Sequence, residues 1–249
     1  MMPLVGVRLR KHFTYLFLCF PVLAAPAGAQ DLHLLPKPAT IVSHACARPF
    51  SFERPLRVAR NFDRAGAELV NERWTALGVP LLTPSVTPDV EVRLTPAMAP
   101  DAYRLRTSTT GRVVISAGGP DGAFYAAVTL AQLPQRTSNG RYELPCVEIT
   151  DAPALRWRVL SDDVSRGPLP TMQYFEERIR TIASFKMNGY SPYMEHVFVD
   201  PQDPLPAPLD GITPAQLVEL NAYAKRYHVT FIPEQQTFAH MHNTLAVER

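Results

Sequence analysis

Residues 155–190 read LRWRVLSDDVSRGPLPTMQYFEERIRTIASFKMNGY, and this stretch decides the fold. Trp157 to Val164 is a strand candidate. Thr171 then offers an N-cap, and Met172, Phe175, Ile179, Ile182 and Ala183 fall on one helical stripe. Met187 to Phe198 gives a second strand, followed by a long Pro-rich loop. Thr213-Pro214-Ala215-Gln216 starts the next helix with a capping box and Pro at the first helical position. Leu217, Leu220, Ala224 and Tyr227 form its stripe, and Val229 to Ile232 is a third strand. Alternating strand and helix predicts parallel pairing through right-handed crossovers. A (β/α)8 barrel and a doubly wound sheet both satisfy this rhythm. A closed barrel takes about 250 residues, and residues 151–249 supply only about three strand-helix units.

Upstream, residues 30–150 carry a different pattern. Phe62, Leu69, Val70, Trp74 and Leu77 recur at helical spacing from Asn61, and Gly78 supplies a stop. Three alternating segments follow, Val90–Leu94, Tyr103–Thr107 and Val113–Ala117, the last two flanking a hairpin loop at 108–112. Asp121 is a candidate N-cap for a helix from Gly122 to Leu133, ended by Pro134. That helix is apolar on nearly every face, so it is expected between a sheet and a second layer. Val147-Glu148-Ile149 reads as a last strand and Asp151-Ala152-Pro153 as a boundary turn. The pattern is that of a small α+β domain.

The N-terminus reads as an export signal. Arg8, Arg10 and Lys11 precede an apolar run from Phe13 to Ala25, and Ala27-Gly28-Ala29 ends in a small-x-small cleavage pattern. Residues 1–29 are therefore expected to be a signal peptide, the mature chain secreted or periplasmic, with no membrane span after cleavage. Cleavage after Ala29 removes three of the 25 basic residues and none of the 23 acidic ones, leaving a net charge of −1. No basic excess remains to argue for nucleic acid. Cys46 and Cys146 remain after cleavage; in an oxidising compartment they can pair, or each can stay free and buried.

Several segments, taken in order, resemble family 20 glycoside hydrolases, the β-N-acetylhexosaminidase family. Leu34-Leu35-Pro36-Lys37-Pro38 and the helix Asp121–Leu133, with its Gly-x-Phe-Tyr, Thr-Leu and Gln-Leu, are similar to that family's N-terminal accessory domain. Arg156–Arg166 resembles its first barrel strand, with Trp-Arg and a version of Leu-Asp-Val-Ser-Arg. Phe185-Lys186-Met187-Asn188 resembles the Lys-Leu-Asn that ends the first barrel helix. Ile232–His240 resembles the third strand, usually Ile-Pro-Glu-Ile-Asp-x-Pro-Gly-His. The resemblance implies an α+β accessory domain over 30–150, followed by an α/β region, the first part of an incomplete (β/α)8 TIM barrel, over 151–249. It implies hydrolysis of terminal N-acetylhexosamine in a glycan with retention, the substrate's acetamido oxygen acting as nucleophile beside an Asp-Glu pair. No cofactor or metal is implied, and oligomeric state is left open.

The Asp-Glu pair follows the family's fourth barrel strand and is expected after Arg249, so no catalytic acid is assigned within the chain. Arg158 lines up as the substrate-binding arginine, its guanidinium suited to sugar hydroxyls; its structural alternative is an ion pair with Asp162 or Asp163. Asp163 and Arg166 read as structural charges. His240 aligns with the histidine beside the general acid, and Glu234 sits where a strand ends. At the second strand the family's His-Trp-His and two Asp are replaced by Ser191–His196, so that Glu195 or His196 stands in for the supporting acid. Two rival readings follow from the residues: a non-catalytic carbohydrate-binding or remnant protein, and a metal-dependent hydrolase using Glu234, His240 and His242.

Overall fold

The computed structural model describes residues 32–247, so the expected signal peptide lies outside the described residues. The N-terminal unit contains β1 (Thr40–Ser43), β2 (Phe50–Ser51), β3 (Arg57–Val58), α1 (Arg64–Leu77), β4 (Thr83–Pro84), β5 (Val90–Leu94), β6 (Tyr103–Thr107), β7 (Val113–Ala117), α2 (Pro120–Gln132), β8 (Gln135–Arg136), β9 (Tyr142–Leu144) and β10 (Val147–Asp151). Seven strands form one mixed sheet in the order β1-β10-β6-β7-β5-β3-β4, and β2-β9-β8 form a small antiparallel flap. Alternation along the strands sends Tyr103, Leu105, Val113, Ile115 and Ile149 to one face, where α1 and α2 cover them. Cys46 and Cys146 are joined in a disulfide, with Cα atoms 5.5 Å apart.

α1 starts at Arg64, because Asp63 caps it: its carboxylate accepts a hydrogen bond from the Gly66 amide at 2.6 Å. α2 begins two residues earlier than the N-cap reading of Asp121 expects. Gly119 occupies the cap and Pro120 the first position, which moves Asp121 into the first turn. The approach is tight: a Cβ on Gly118 would lie 1.8 Å from the Ala99 carbonyl oxygen. α2 is buried over most of its surface, since it lies between the sheet and the C-terminal unit.

That C-terminal unit contains β11 (Val159–Asp163), α3 (Met172–Ser184), β12 (Gly189–Tyr193), α4 (Pro214–Arg226), β13 (Thr230–Phe231) and α5 (His242–Val247). β11, β12 and β13 form a parallel sheet, with Ser161 opposite Ser191 and Asp163 opposite Tyr193. The strands are shorter than the apolar runs that announce them, because pairing stops where the loops begin. Thr171 caps α3, and α4 carries the full Thr213/Gln216 capping box. Among the described residues no helix is long and apolar enough to cross a membrane.

Both helices of this unit end the same way. Lys186 and His228 follow the C-caps of α3 and α4 with φ of 58° and 60°, a left-handed conformation usually given to glycine. The amides of Met187 and Val229 close the turns onto Ile182 and Ala224. Both side chains reach back into the N-terminal unit, which glycine could not do. Lys186 Nζ, 4% exposed, donates to Asp151 and to the Tyr103 hydroxyl, each at 2.8 Å. Tyr103 continues the network to Thr129 at 2.6 Å. Burial holds the Lys186 amine below its ordinary pKa, opposed by Asp151, and burial pushes the Tyr103 phenol well up.

His228 is held by Asp121 at 2.7 Å and Asp63 at 3.2 Å, while its ring stacks on Phe124 with centroids 4.6 Å apart. Desolvation opposes its charge, but the hydrogen bonds to Asp121 and Asp63 outweigh it and raise its pKa from 6.5 to about 9. A raised histidine pKa contributes stability that is fully present below 6.5 and lost as pH climbs through about 9. The thermal midpoint of the protein is therefore expected to fall between these limits, and the fall to be largely absent in His228→Gln. Parallel pH profiles for the two proteins, measured by circular dichroism, would contradict the assignment.

Candidate functional site at the carboxyl ends of the parallel strands

In parallel α/β sheets, ligands bind outside the carboxyl ends of the strands. Here those ends carry a continuous polar surface. Ser161, Asp163, Ser191 and Tyr193 share one face of β11 and β12 by register, and Glu234 joins them through a bridge to Tyr193. The Glu234 carboxylate accepts from the Ser161 hydroxyl at 3.3 Å and the Ser191 hydroxyl at 3.2 Å. Its backbone is locked as well, since its amide donates to Pro192 and its carbonyl accepts from Met194.

A second cluster sits beside it. Asp163 accepts from the Ser165 hydroxyl at 2.7 Å and amide at 3.0 Å, and pairs with Arg166. The Ser165 hydroxyl, followed by the Arg166 guanidinium, holds the Asp163 carboxyl below the usual range. Ser165 also lies 2.9 Å from Glu195, whose carboxylate is 3.8 Å from Arg166. The Arg166 guanidinium lies over the Tyr193 ring at 5.6 Å. Glu195 is only 6% exposed and sits at φ 46°, a strained conformation for a residue with a Cβ. Its carbonyl accepts from the Gln235 side-chain Nε2, which fixes the turn. His196 lies 3.1 Å from the Asn243 side chain.

The expected residues therefore divide. Glu195, His196 and Glu234 are at the carboxyl ends. His240 is exposed at φ 56° in the following loop and makes no hydrogen bond to a described residue. Arg158 requires a correction: it precedes β11, at the opposite end of the strands. Its Nε donates to the Lys186 carbonyl at 2.7 Å, and its terminal nitrogens donate to the Leu155 carbonyl at 2.6 Å and the Tyr125 hydroxyl at 2.8 Å. Two of these acceptors lie in its own unit and Tyr125 ties it to the N-terminal unit, while neither Asp162 nor Asp163 pairs with it. Asp162 instead accepts from Tyr190 and Tyr174 on the helical side of the sheet.

Sequence reasoning gave Asp163 and Arg166 a structural part only. Their ion pair is present, and it stands at the carboxyl end of β11. The signal was in hand: a strand ending in Asp-Asp-Val-Ser-Arg places its last charges at the carboxyl end, whereas Arg158 stands before the strand starts. Ser161, Ser191, Gln235 and Asn243 carried no signal of their own. Among the described residues no three of His, Cys, Asp and Glu are grouped to hold a metal ion, so Glu234, His240 and His242 are not brought together as the metal-dependent reading requires.

With the fold and this surface in place, comparison with known proteins is informative. The architecture is a mixed-sheet α+β unit joined to a parallel strand-helix unit. Residues 31–152 match the family model of glycosyl hydrolase family 20, domain 2. A β-hexosaminidase from Akkermansia muciniphila is 33% identical over 93 residues, 37% of this chain and 18% of that protein. The Vibrio harveyi family 20 exo-β-N-acetylglucosaminidase in complex with N-acetylglucosamine superposes with a TM-score of 0.67 at 20% identity, covering 80% of this chain and 35% of that one. Streptomyces plicatus N-acetyl-β-hexosaminidase in complex with Thio-NAglucal gives 0.69 at 22% identity, covering 90% and 50%. The β-N-acetylhexosaminidase from Bacteroides fragilis gives 0.70 at 19%, covering 86% and 46%. The chain thus spans half or less of these relatives' lengths.

The placement of the two arginines makes a direct test. Arg158→Met should lower unfolding free energy by about 1–3 kcal/mol, since it strands buried acceptors. Arg166→Met, at an exposed position, should change it by about 1 kcal/mol or less. Urea denaturation giving the reverse order would contradict the assignment.

Proposed function

We propose that the protein is an exported β-N-acetylhexosaminidase-type glycosidase acting on terminal N-acetylhexosamine residues of a glycan. The observation that carries this reading is the family 20 domain match over 31–152, continuous with a parallel strand-helix unit of the same fold as family 20 enzymes. On this reading β11, β12 and β13 are the first strands of a (β/α)8 barrel, and their carboxyl ends form part of the sugar site.

The chemistry proposed is substrate-assisted and retaining: the acetamido oxygen attacks the anomeric carbon while a carboxylic acid protonates the leaving oxygen. The three carboxylates on the polar surface are poor candidates for that acid. Glu234 is held by two serines, Glu195 by Ser165 and Arg166, and Asp163 by Ser165 and Arg166. We assign them to orientation and the Arg166 fork to sugar hydroxyls, with Tyr193 beneath it. The acid and its Asp neighbour are then supplied outside these 249 residues, which alone bind a terminal sugar without cleaving it. No cofactor takes part in this scheme.

Two measurements test it. The 249-residue chain should leave a chromogenic N-acetyl-β-glucosaminide uncleaved, while a version extended by any downstream Asp-Glu segment should cleave it. In that extended version Arg166→Ala should lower kcat/KM by about 10- to 100-fold, and Arg158→Ala should not. Cleavage by the 249-residue chain would overturn the division of labour. An inert extended enzyme would overturn the proposed activity and favour a non-catalytic carbohydrate-binding protein.

A further inference from the structure

The face of the seven-stranded sheet turned away from α1 and α2 is open, and register fixes what it displays. One row across the strands runs Thr40, Thr150, Arg104, Ser116 and Arg93. The next runs Val42, Glu148, Arg106, Val114 and Glu91. Arg112, just before β7, leans onto Glu91 at 3.7 Å. Arg93, Arg104, Arg106 and Arg112 have side chains 64%, 58%, 64% and 60% exposed.

The charges on this face do not balance. Arg104 and Arg106 share the single carboxylate of Glu148 at 3.6 and 3.8 Å, and Arg93 and Arg112 share that of Glu91 at 2.8 and 3.7 Å. Four guanidinium groups thus meet two carboxylates, in a chain whose expected mature charge is close to neutral. Four other acids of this unit, Asp63, Asp121, Glu68 and Glu72, lie on the opposite side and meet His228, Arg226 and Arg180, while Asp89 and Glu53 pair with Arg54, Arg57 and Arg141. The open face thus keeps a local excess of two positive charges.

We propose that this open face binds an acidic polysaccharide, a glycan chain bearing sulfate or uronate groups. Guanidinium forks match the planar or tetrahedral oxyanions of such a chain. Strands lie about 4.8 Å apart, so Arg93 and Arg104, separated by β7, present anion sites roughly 10 Å apart across the sheet. Between and beside them, the hydroxyls of Ser116, Thr150 and Thr40 offer partners to neutral sugar hydroxyls. No residue of either row is aromatic, which removes the stacking platform that single-stranded nucleic acids use. The face then serves as an anchor that holds an acidic matrix while the carboxyl-end site of β11–β13 addresses chain termini. The anchor is independent of the glycosidase reading, since it involves none of that site's residues.

The experiment is binding of the protein to heparin, polygalacturonate, dextran and an oligothymidylate, followed in low salt and across a salt titration. Wild type should bind heparin or polygalacturonate and not dextran, and the member of the pair that binds identifies sulfate or carboxylate as the ligand. Arg93→Ser combined with Arg104→Ser should weaken that binding about tenfold or more and flatten its salt dependence. Thermal midpoint should be unchanged, because both side chains are solvated. Failure to bind either acidic polysaccharide, binding unchanged by the double substitution, or equal affinity for oligothymidylate would each overturn the proposal.

Discussion

The contact of Lys186 with Asp151 is the constraint on which the rest of the structure rests. Lys186 ends α3 in a left-handed conformation, is almost wholly buried, and spends its charge on the last residue of β10. A lysine there carries a desolvation penalty and a backbone penalty at once. Both are offset because Asp151 and the Tyr103 hydroxyl satisfy the amine. Removing either partner leaves an uncompensated buried charge, which makes the joint between the two units all or none. Arg158 extends the same joint by tying the start of β11 to the Lys186 carbonyl and to Tyr125 on α2.

The arrangement separates structural and chemical roles along one axis. The amino ends of β11, β12 and β13 face the N-terminal unit and are stitched to it by Arg158, Lys186 and His228. The carboxyl ends are left free for polar groups that a core would not accept, including the strained and buried Glu195. The N-terminal unit therefore acts as a foundation: it fixes one end of a short parallel sheet so that the other end can hold Glu234, Asp163 and Arg166 in register. Asp63, Asp121 and Asp151 meet His228 and Lys186 at the joint, while four arginines share two carboxylates on the open sheet face.

Much of this was legible from residues alone. The strands Val90–Leu94, Tyr103–Thr107 and Val113–Ala117 keep the boundaries their alternation announces, and the last two alternate a buried face with a more exposed one. The caps at Thr171 and Thr213 are local chemistry and are found where the sequence puts them. What sequence could not supply was direction. Arg158 and Arg166 are alike in charge and lie eight positions apart, and a linear motif does not say which end of a strand meets which neighbour. Lys186 and His228 were hidden for a related reason. A helix end without glycine gives no stop signal of its own, and the partners that justify it are distant in sequence.

The most direct test of this account is hydrogen exchange, read by mass spectrometry, in the wild-type protein and in Lys186→Met. The substitution keeps the side-chain bulk and removes the charge, leaving Asp151 buried without its cation. The account requires exchange to accelerate together in β11, β12 and α2 and the joint to lose about 3–5 kcal/mol, while β5, β7 and α1 stay protected. Exchange in Lys186→Met indistinguishable from wild type across β11 and β12 would contradict it.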